Sequence, residues 1–205
     1  MGQYYHQALQ QDGEIRIFNT QYCSRGDNNY NNYSDYNGLK LTEHSWIGNE
    51  FMDAMTNQLY NHKGRLVWCG DYANEQGDFK NVQWVDYKTI YPKGETDFPP
   101  LKMEGKFDYT HKFLVNHTHK CYLDFDLYMS KCKDNFGWVI HPLSLLTAIG
   151  NGRGGGDYYT EYPDSYVVGM WAGDLLEVTD EAPAGYELED IRFIEDSGYD
   201  DDRVE

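Results

Sequence analysis

Gly150, Gly152, Gly154, Gly155 and Gly156 fall within seven residues, with Arg153 among them and Asp157-Tyr158 directly after. Of all the stretches in this chain of 205 residues, this one most invites a chemical reading. Each glycine costs conformational entropy on folding, so such a run needs a reason. Successive backbone N–H groups in a glycine loop can form a nest for an anion, with the Arg153 guanidinium adding charge. The same residues equally suit a left-handed helix end followed by a tight turn. No Lys-Ser/Thr follows, as a P-loop requires, and an apolar run over residues 143–149 leads into the loop, the reverse of the dinucleotide fingerprint. A phosphate or nucleotide site here would set Gly152, Arg153, Gly154, Gly155 and Gly156 against phosphate and Asp157 against a sugar hydroxyl. Tyr158, Tyr159 or Trp171 would stack on a base.

Other reactive side chains are sparser. His117 and His119 are separated by one residue, so on a strand both imidazoles share a side, and Asp124, Asp126 or His44 would have to supply further metal ligands. Nothing in the sequence brings that ligand close, and exposed strand histidines are the expectation, with no metal or other cofactor. Cys69, before Gly70-Asp71, stands at a strand end, where catalytic nucleophiles often sit, but reads as a small buried apolar residue. Ser45 neighbours His44 only in sequence, and no G-x-S-x-G elbow is present. Cys23, Cys69, Cys121 and Cys132 form no CxxC pair, which argues against a standard zinc site.

The elements that must position these residues follow from turn chemistry and periodicity. Asp12-Gly13, between residues 3–9 and 14–18, signals a hairpin whose second strand puts Ile15 and Ile17 on one face and Glu14, Arg16 and Phe18 on the other. Residues 19–37, where asparagines alternate with Tyr30, Tyr33 and Tyr36, read as a long loop. Leu39-Lys40-Leu41 reads as a short strand. Phe51, Met52, Met55 and Leu59 make one apolar stripe, so the spacing predicts a helix over residues 49–60, capped by Asn49 and stopped by Gly64. Residues 65–72 read as an apolar strand closed by Gly70-Asp71. The same Trp-x-Gly-Asp pattern at Trp171-Ala172-Gly173-Asp174 suggests a second strand end with a core tryptophan. Residues 82–91 fit either strand or short helix, and residues 92–104, with three prolines, a surface connection. Residues 112–119 and 120–129 read as an antiparallel strand pair, and Pro142 as the start of a short helix that runs into the glycine loop. Residues 166–171 and 175–178 read as a hairpin, and residues 186–194 as a last strand.

Together these predict an α+β fold, mainly antiparallel sheet with one longer and one short helix, in a single domain over residues 1–194. An acidic tail over residues 195–205 follows. Mean hydropathy is −0.77, and 19 Tyr and 5 Trp supply much of the apolar surface, so the core must satisfy many aromatic polar tips. The formal charge is −17, and the last 32 residues hold thirteen Asp or Glu against Arg192 and Arg203. That balance argues against direct nucleic-acid binding through phosphates and favours a basic protein partner or simple solubility. No apolar run long enough for a membrane span and no signal peptide is evident, so a soluble intracellular protein with reduced thiols is expected.

The opening Met1-Gly2-Gln3-Tyr4-Tyr5, residues 38–46 (GLKLTEHSW), Trp68-Cys69-Gly70-Asp71-Tyr72, residues 150–158 (GNGRGGGDY) and Trp171-Ala172-Gly173-Asp174 together resemble a family of short proteins of bacteria, their phages and mobile elements. The resemblance spans most of the chain and carries no established reaction. Its mobile-element setting implies an inhibitor of bacterial defence, such as an anti-CRISPR protein that occupies the basic nucleic-acid channel of a Cas9-type effector. Asp190, Glu195, Asp196, Asp200, Asp201 and Asp202 would then meet that basic partner. The alternative is a nucleotide-binding protein, a sponge for a signalling nucleotide or an enzyme acting on one, built on the glycine loop.

Overall fold

The computed structural model describes residues 2–20, 23–24, 38–93, 98–99, 101–102, 105–132, 138–159 and 166–193. The predicted hairpin forms between β1 (Tyr5–Gln11) and β2 (Glu14–Asn19). Gln11 pairs with Glu14, and Asp12 and Gly13 both take positive φ (52° and 83°), the two-residue turn whose twist matches the strands. A two-residue bridge strand follows, β3 (Cys23–Ser24). Leu41 belongs not to a strand but to a four-residue helix, α1 (Leu41–His44), and only Leu39 bridges to Tyr5. The main predicted helix is α2 (Glu50–Leu59); Asn49 caps it, its side chain accepting from the Phe51 N–H at 2.9 Å. Gly64 does not stop this helix. Asn61 turns the chain at φ 53°, and Gly64 opens β4 (Gly64–Gly70), where a Cβ would lie 2.8 Å from Leu9 and Gln11 side-chain carbons.

Residues 82–91 contain the short helix α3 (Tyr87–Ile90), and β5 (Leu101–Lys102) pairs in parallel with β3. β6 (Phe113–Asn116) and β7 (Cys121–Asp124) form the expected antiparallel pair. The strand reading of residues 120–129 holds only to Asp124. Its carboxylate accepts from the Leu127 N–H at 3.1 Å and starts α4 (Phe125–Lys131), where Phe125 and Tyr128 are buried at helical spacing. α5 (Pro142–Thr147) opens with proline as predicted and leads into β8 (Ala148–Ile149). The expected hairpin at 166–178 does not form. Gly169 and Gly173 take φ of 77° and 84°, and the N–H groups of Gly169 and Trp171 donate to the last carbonyls of α5, Leu145 and Leu146, at 2.8 and 2.7 Å. Only β9 (Leu175–Thr179) is a strand there, and the last, β10 (Glu187–Leu188), is two residues long.

The result is α+β; among the described residues three short α-helices, α1, α3 and α4, and a 3-10 turn at Asp78–Asn81 join the two helices expected. The main sheet runs β10-β7-β6-β9-β4-β1-β2 and is mostly antiparallel; β4 meets β9 at its start and β8, in parallel, at its end. Around β1 and β4 both faces are covered. Tyr5, Leu9, Phe18, Leu66 and Trp68 face a large core with α2, α5 and Trp171, while Ala8, Val67 and Cys69 face a smaller one closed by Phe79, Val82, Val85 and Ile90. That double burial is why residues 66–69 read as an uninterrupted apolar run.

Candidate functional site

The glycine loop is held from two directions. α5 and β8 deliver it to the end of β4, and the segment before β1 lies across it: Gln3 N–H donates to the Gly155 carbonyl at 3.0 Å, and Gly2 bridges Gly155. The loop amides do form an anion nest, and the anion is the loop's own Asp157. Its Oδ2 accepts from the N–H of Gly152 (2.7 Å), Arg153 (3.0 Å) and Gly154 (3.1 Å) and from Gln3 Nε2 (2.8 Å). Oδ1 accepts from Tyr5 OH at 3.0 Å, and burial next to that carboxylate pushes the phenol far above its ordinary range, which keeps it a donor. Asn151 and Tyr158 close the loop reciprocally, Asn151 Nδ2 donating to the Tyr158 carbonyl and Tyr158 N–H to Asn151 Oδ1.

This geometry corrects the nucleotide reading of the loop. Asp157 is only 1% exposed and fully bonded, so it is not offered to a sugar hydroxyl. Three of the amides meant for phosphate are occupied. Trp171 (1% exposed) is core, and Tyr158 is buried with its hydroxyl against Ser144 Oγ at 2.8 Å, so neither presents a face to a base. Tyr159, half exposed, bonds the Gly154 carbonyl. Arg153 turns outward and clamps Asp78 with both guanidinium nitrogens (2.6 and 3.2 Å) while donating to the Tyr72 carbonyl at 2.9 Å. Gly155 and Gly156 serve the chain itself: Gly155 pairs with Gln3, and a Cβ at Gly156 would sit 2.4 Å from the Lys40 side chain. Beside the loop remains a groove of about 330 Å³ bordered by Asp78, Lys80, Asn81, Asn151 and Gly169.

The histidine pair is not on a strand. His117 and His119 lie in the turn between β6 and β7, and each meets its own carboxylate: His117 Nε2 to Glu177 at 2.8 Å, with Tyr186 OH on Nδ1 at 3.0 Å, and His119 Nε2 to Asp174 at 3.1 Å. Among the described residues no three His, Cys, Asp or Glu side chains converge as a metal cluster. Cys69 is buried, and burial with the Asp78 and Asp71 charges nearby pushes its thiol well up, as befits a packing residue. His44 faces away from Ser45: Nδ1 bonds the Lys40 carbonyl at 2.7 Å and Nε2 accepts from Trp68 Nε1 at 3.0 Å, with burial lowering its pKa to about 4.

One polar cluster has no counterpart in the sequence reading. His141 Nδ1 accepts from the Leu143 N–H, which puts the proton on Nε2, 3.1 Å from both Tyr109 OH and Thr56 Oγ1. Tyr109 OH in turn donates to Asp53 Oδ1 at 2.7 Å. Burial lowers the His141 pKa to about 3 and raises that of Asp53. The signal was present: Asp53 and Thr56 sit one turn apart on the apolar stripe of α2, where a polar side chain demands a buried partner.

The acidic residues divide in two. Asp174 and Glu177 are held by His119 and His117, and Asp180 by Lys112 Nζ (2.9 Å) and Tyr60 OH (2.7 Å). Asp190 is exposed and pairs with Lys131. Glu181 and Glu187 are exposed. Glu195, Asp196, Asp200, Asp201 and Asp202 lie outside the described residues, as does the whole tail over 195–205.

Fold and site define a small α+β protein on one largely antiparallel sheet, its glycine loop closed on an internal carboxylate. No family profile, curated protein or solved structure matches the chain. Among the described residues no helix is long and apolar enough to cross a membrane.

Proposed function

We propose that the chain is a binding protein that sets its acidic carboxyl-terminal region against a basic, nucleic-acid-binding surface of another protein. The motif resemblance to phage and mobile-element proteins makes an effector nuclease of bacterial defence, Cas9-type, the first candidate, with the chain acting as an anti-CRISPR-like inhibitor in the bacterial cytoplasm. The observation that carries the reading is the charge of −17, with thirteen carboxylates in the last 32 residues. β10 supports it by placing Glu187 at one edge of the main sheet, close before residues 194–205. Asp174, Glu177 and Asp180 already have partners within the fold; the carboxylates offered to a partner are Glu181, Glu187, Asp190, which would exchange its exposed pairing with Lys131, and those from Glu195 onward. A cationic channel attracts such a surface through long-range Coulomb forces that salt screens.

The test is capture of candidate effectors on the immobilised protein at low and high salt, with a nuclease assay alongside. Capture and inhibition should fall steeply as salt rises and should be lost when residues 194–205 are removed. Capture indifferent to salt, or equal capture by the shortened chain, overturns the proposal.

A further inference from the structure

We infer that the outer edge of β2 is a strand-addition site for an extended, basic segment of a partner protein. It lies at the opposite end of the sheet from β10. In a hairpin with a two-residue loop the flanking pair, Gln11 and Glu14, is hydrogen-bonded, and bonding then recurs at every second residue. Glu14, Arg16 and Phe18 therefore bond to β1, while the N–H and C=O of Ile15 and Ile17 point away from it. Tyr5 fixes the same parity from the other strand: its N–H points to the β2 side, where, past the end of β2, it bonds Leu39 at 3.1 Å. Among the described residues no group bonds the outward amides of Ile15 and Ile17.

Natural sheets usually blunt such an edge with proline, lysine or a bulge. β2 has none of these; its sequence is Glu-Ile-Arg-Ile-Phe-Asn and its register with β1 runs without a skip from His6–Asn19 to Gln11–Glu14. Ile15 is 39% exposed on the face where a groove of about 410 Å³ opens, walled by Phe79, Trp84, Val85 and Tyr87. An added strand bonded to Ile15 and Ile17 would turn alternate side chains toward that groove, so main-chain bonds and a mixed aromatic and polar groove are offered together, the pattern of β-augmentation. The occupant is basic on grounds of charge: Glu75 and Asp86 line the groove against Lys88, and the whole chain carries −17. The same charge disfavours a second copy, and two-fold pairing centred on Arg16 would also set that cation beside its own twin.

The probe is a labelled peptide of about eight residues alternating Lys and Val, with a Glu and Val peptide of equal length as control. The Lys peptide should bind at least about ten-fold more tightly than the control. On binding, the amides of Ile15 and Ile17 should gain protection from hydrogen exchange while that of Arg16, already in the β1 ladder, stays unchanged. Ile15→Pro removes an outward donor without touching that ladder and should weaken binding at least about ten-fold; Ile15→Lys, which keeps the backbone, should weaken it as well. Both effects should survive removal of residues 194–205, which separates this site from the acidic one. Equal binding of the two peptides, binding without protection at Ile15 and Ile17, or protection of both amides in the free protein by its own chain or a second copy overturns the inference.

Discussion

Asp157 is a carboxylate that reads from sequence as a ligand contact and acts in the fold as the ligand itself. Four donors converge on Oδ2 and one on Oδ1, all in a buried setting. Hydrogen bonds to a charged group contribute about 1.5–3 kcal/mol each when a partner is deleted, so Asp157→Ala should cost at least about 3 kcal/mol of unfolding free energy in urea titrations. Asp157→Asn should cost clearly less, because its amide oxygen can keep the Oδ2 bonds while Tyr5 OH reverses to accept from the amide nitrogen. Equal losses would mean that the nest is not what holds the loop. The two buried histidines make a second prediction at this scale. Burial lowers His44 to about 4 and His141 to about 3 from an ordinary 6.5, so the unfolded chain takes up protons first as the pH falls. Their stabilisation is complete above pH 6.5 and is lost as the pH drops toward those folded values, at ~1.4 kcal/mol per unit for each. Asp53, whose carboxyl burial raises, works in the opposite sense over part of that window. Unfolding free energy should therefore be lower at pH 5 than at pH 7; no decline would show that the histidines are not held neutral.

Among the elements, what could be read early was what local physics decides. The Asp12-Gly13 hairpin, the Asn49 cap with its apolar stripe, and Pro142 at a helix start each depend on a few neighbouring residues. What misled was alternation taken without its competitor. Cys121, Leu123, Phe125, Leu127 and Met129 satisfy a period of two, yet Phe125 and Tyr128 satisfy a helical period as well, and the Asp124 cap decides between them. Residues 166–171 look extended only until Gly169 and Gly173 are seen to be in the left-handed region, and that depends on α5 leaving carbonyls to be satisfied. The glycine loop and Asp157 beside it were both visible, but the burial of that carboxylate was not, because the other donors that hold it, Gln3 and Tyr5, come from the other end of the chain. Two glycines there separate the reasons for the run. Gly152 has φ 87° and open space around it, so Gly152→Ala should cost about 1 kcal/mol from backbone strain alone. Gly154 has no positive φ, but a Cβ would meet the Gln3 backbone nitrogen at 2.7 Å, so Gly154→Ala should cost more and should loosen the segment before β1, as limited proteolysis or amide exchange at Gln3 would report. If the order of the two costs is reversed, steric approach is not the reason for the run.

At the scale of the whole molecule, a charge of −17 opposes the compact state, while ion pairs such as Lys112–Asp180 and Lys131–Asp190 give back little near the surface. Raising ionic strength from about 0.01 to 0.15 M shortens the Debye length from roughly 30 to 8 Å, so the melting temperature should rise with added sodium chloride; a fall would assign more to the local pairs than to the net charge. The embrace between Gln3 and Asp157 spans 154 positions of sequence. During synthesis at about 5–20 residues per second, the first partner waits roughly ten to thirty seconds for the second to emerge. Over that interval β1 can gather its hairpin and β4, and Gln3 Oε1 can accept from Tyr72 N–H, but Gln3 Nε2 and Tyr5 OH have not yet met Asp157, and the nascent chain stays unlatched at its opening end. A ribosome that stalls before residue 148 would thus display a protein with its central strands assembled and its clasp undone, a form that quality-control proteases can grip.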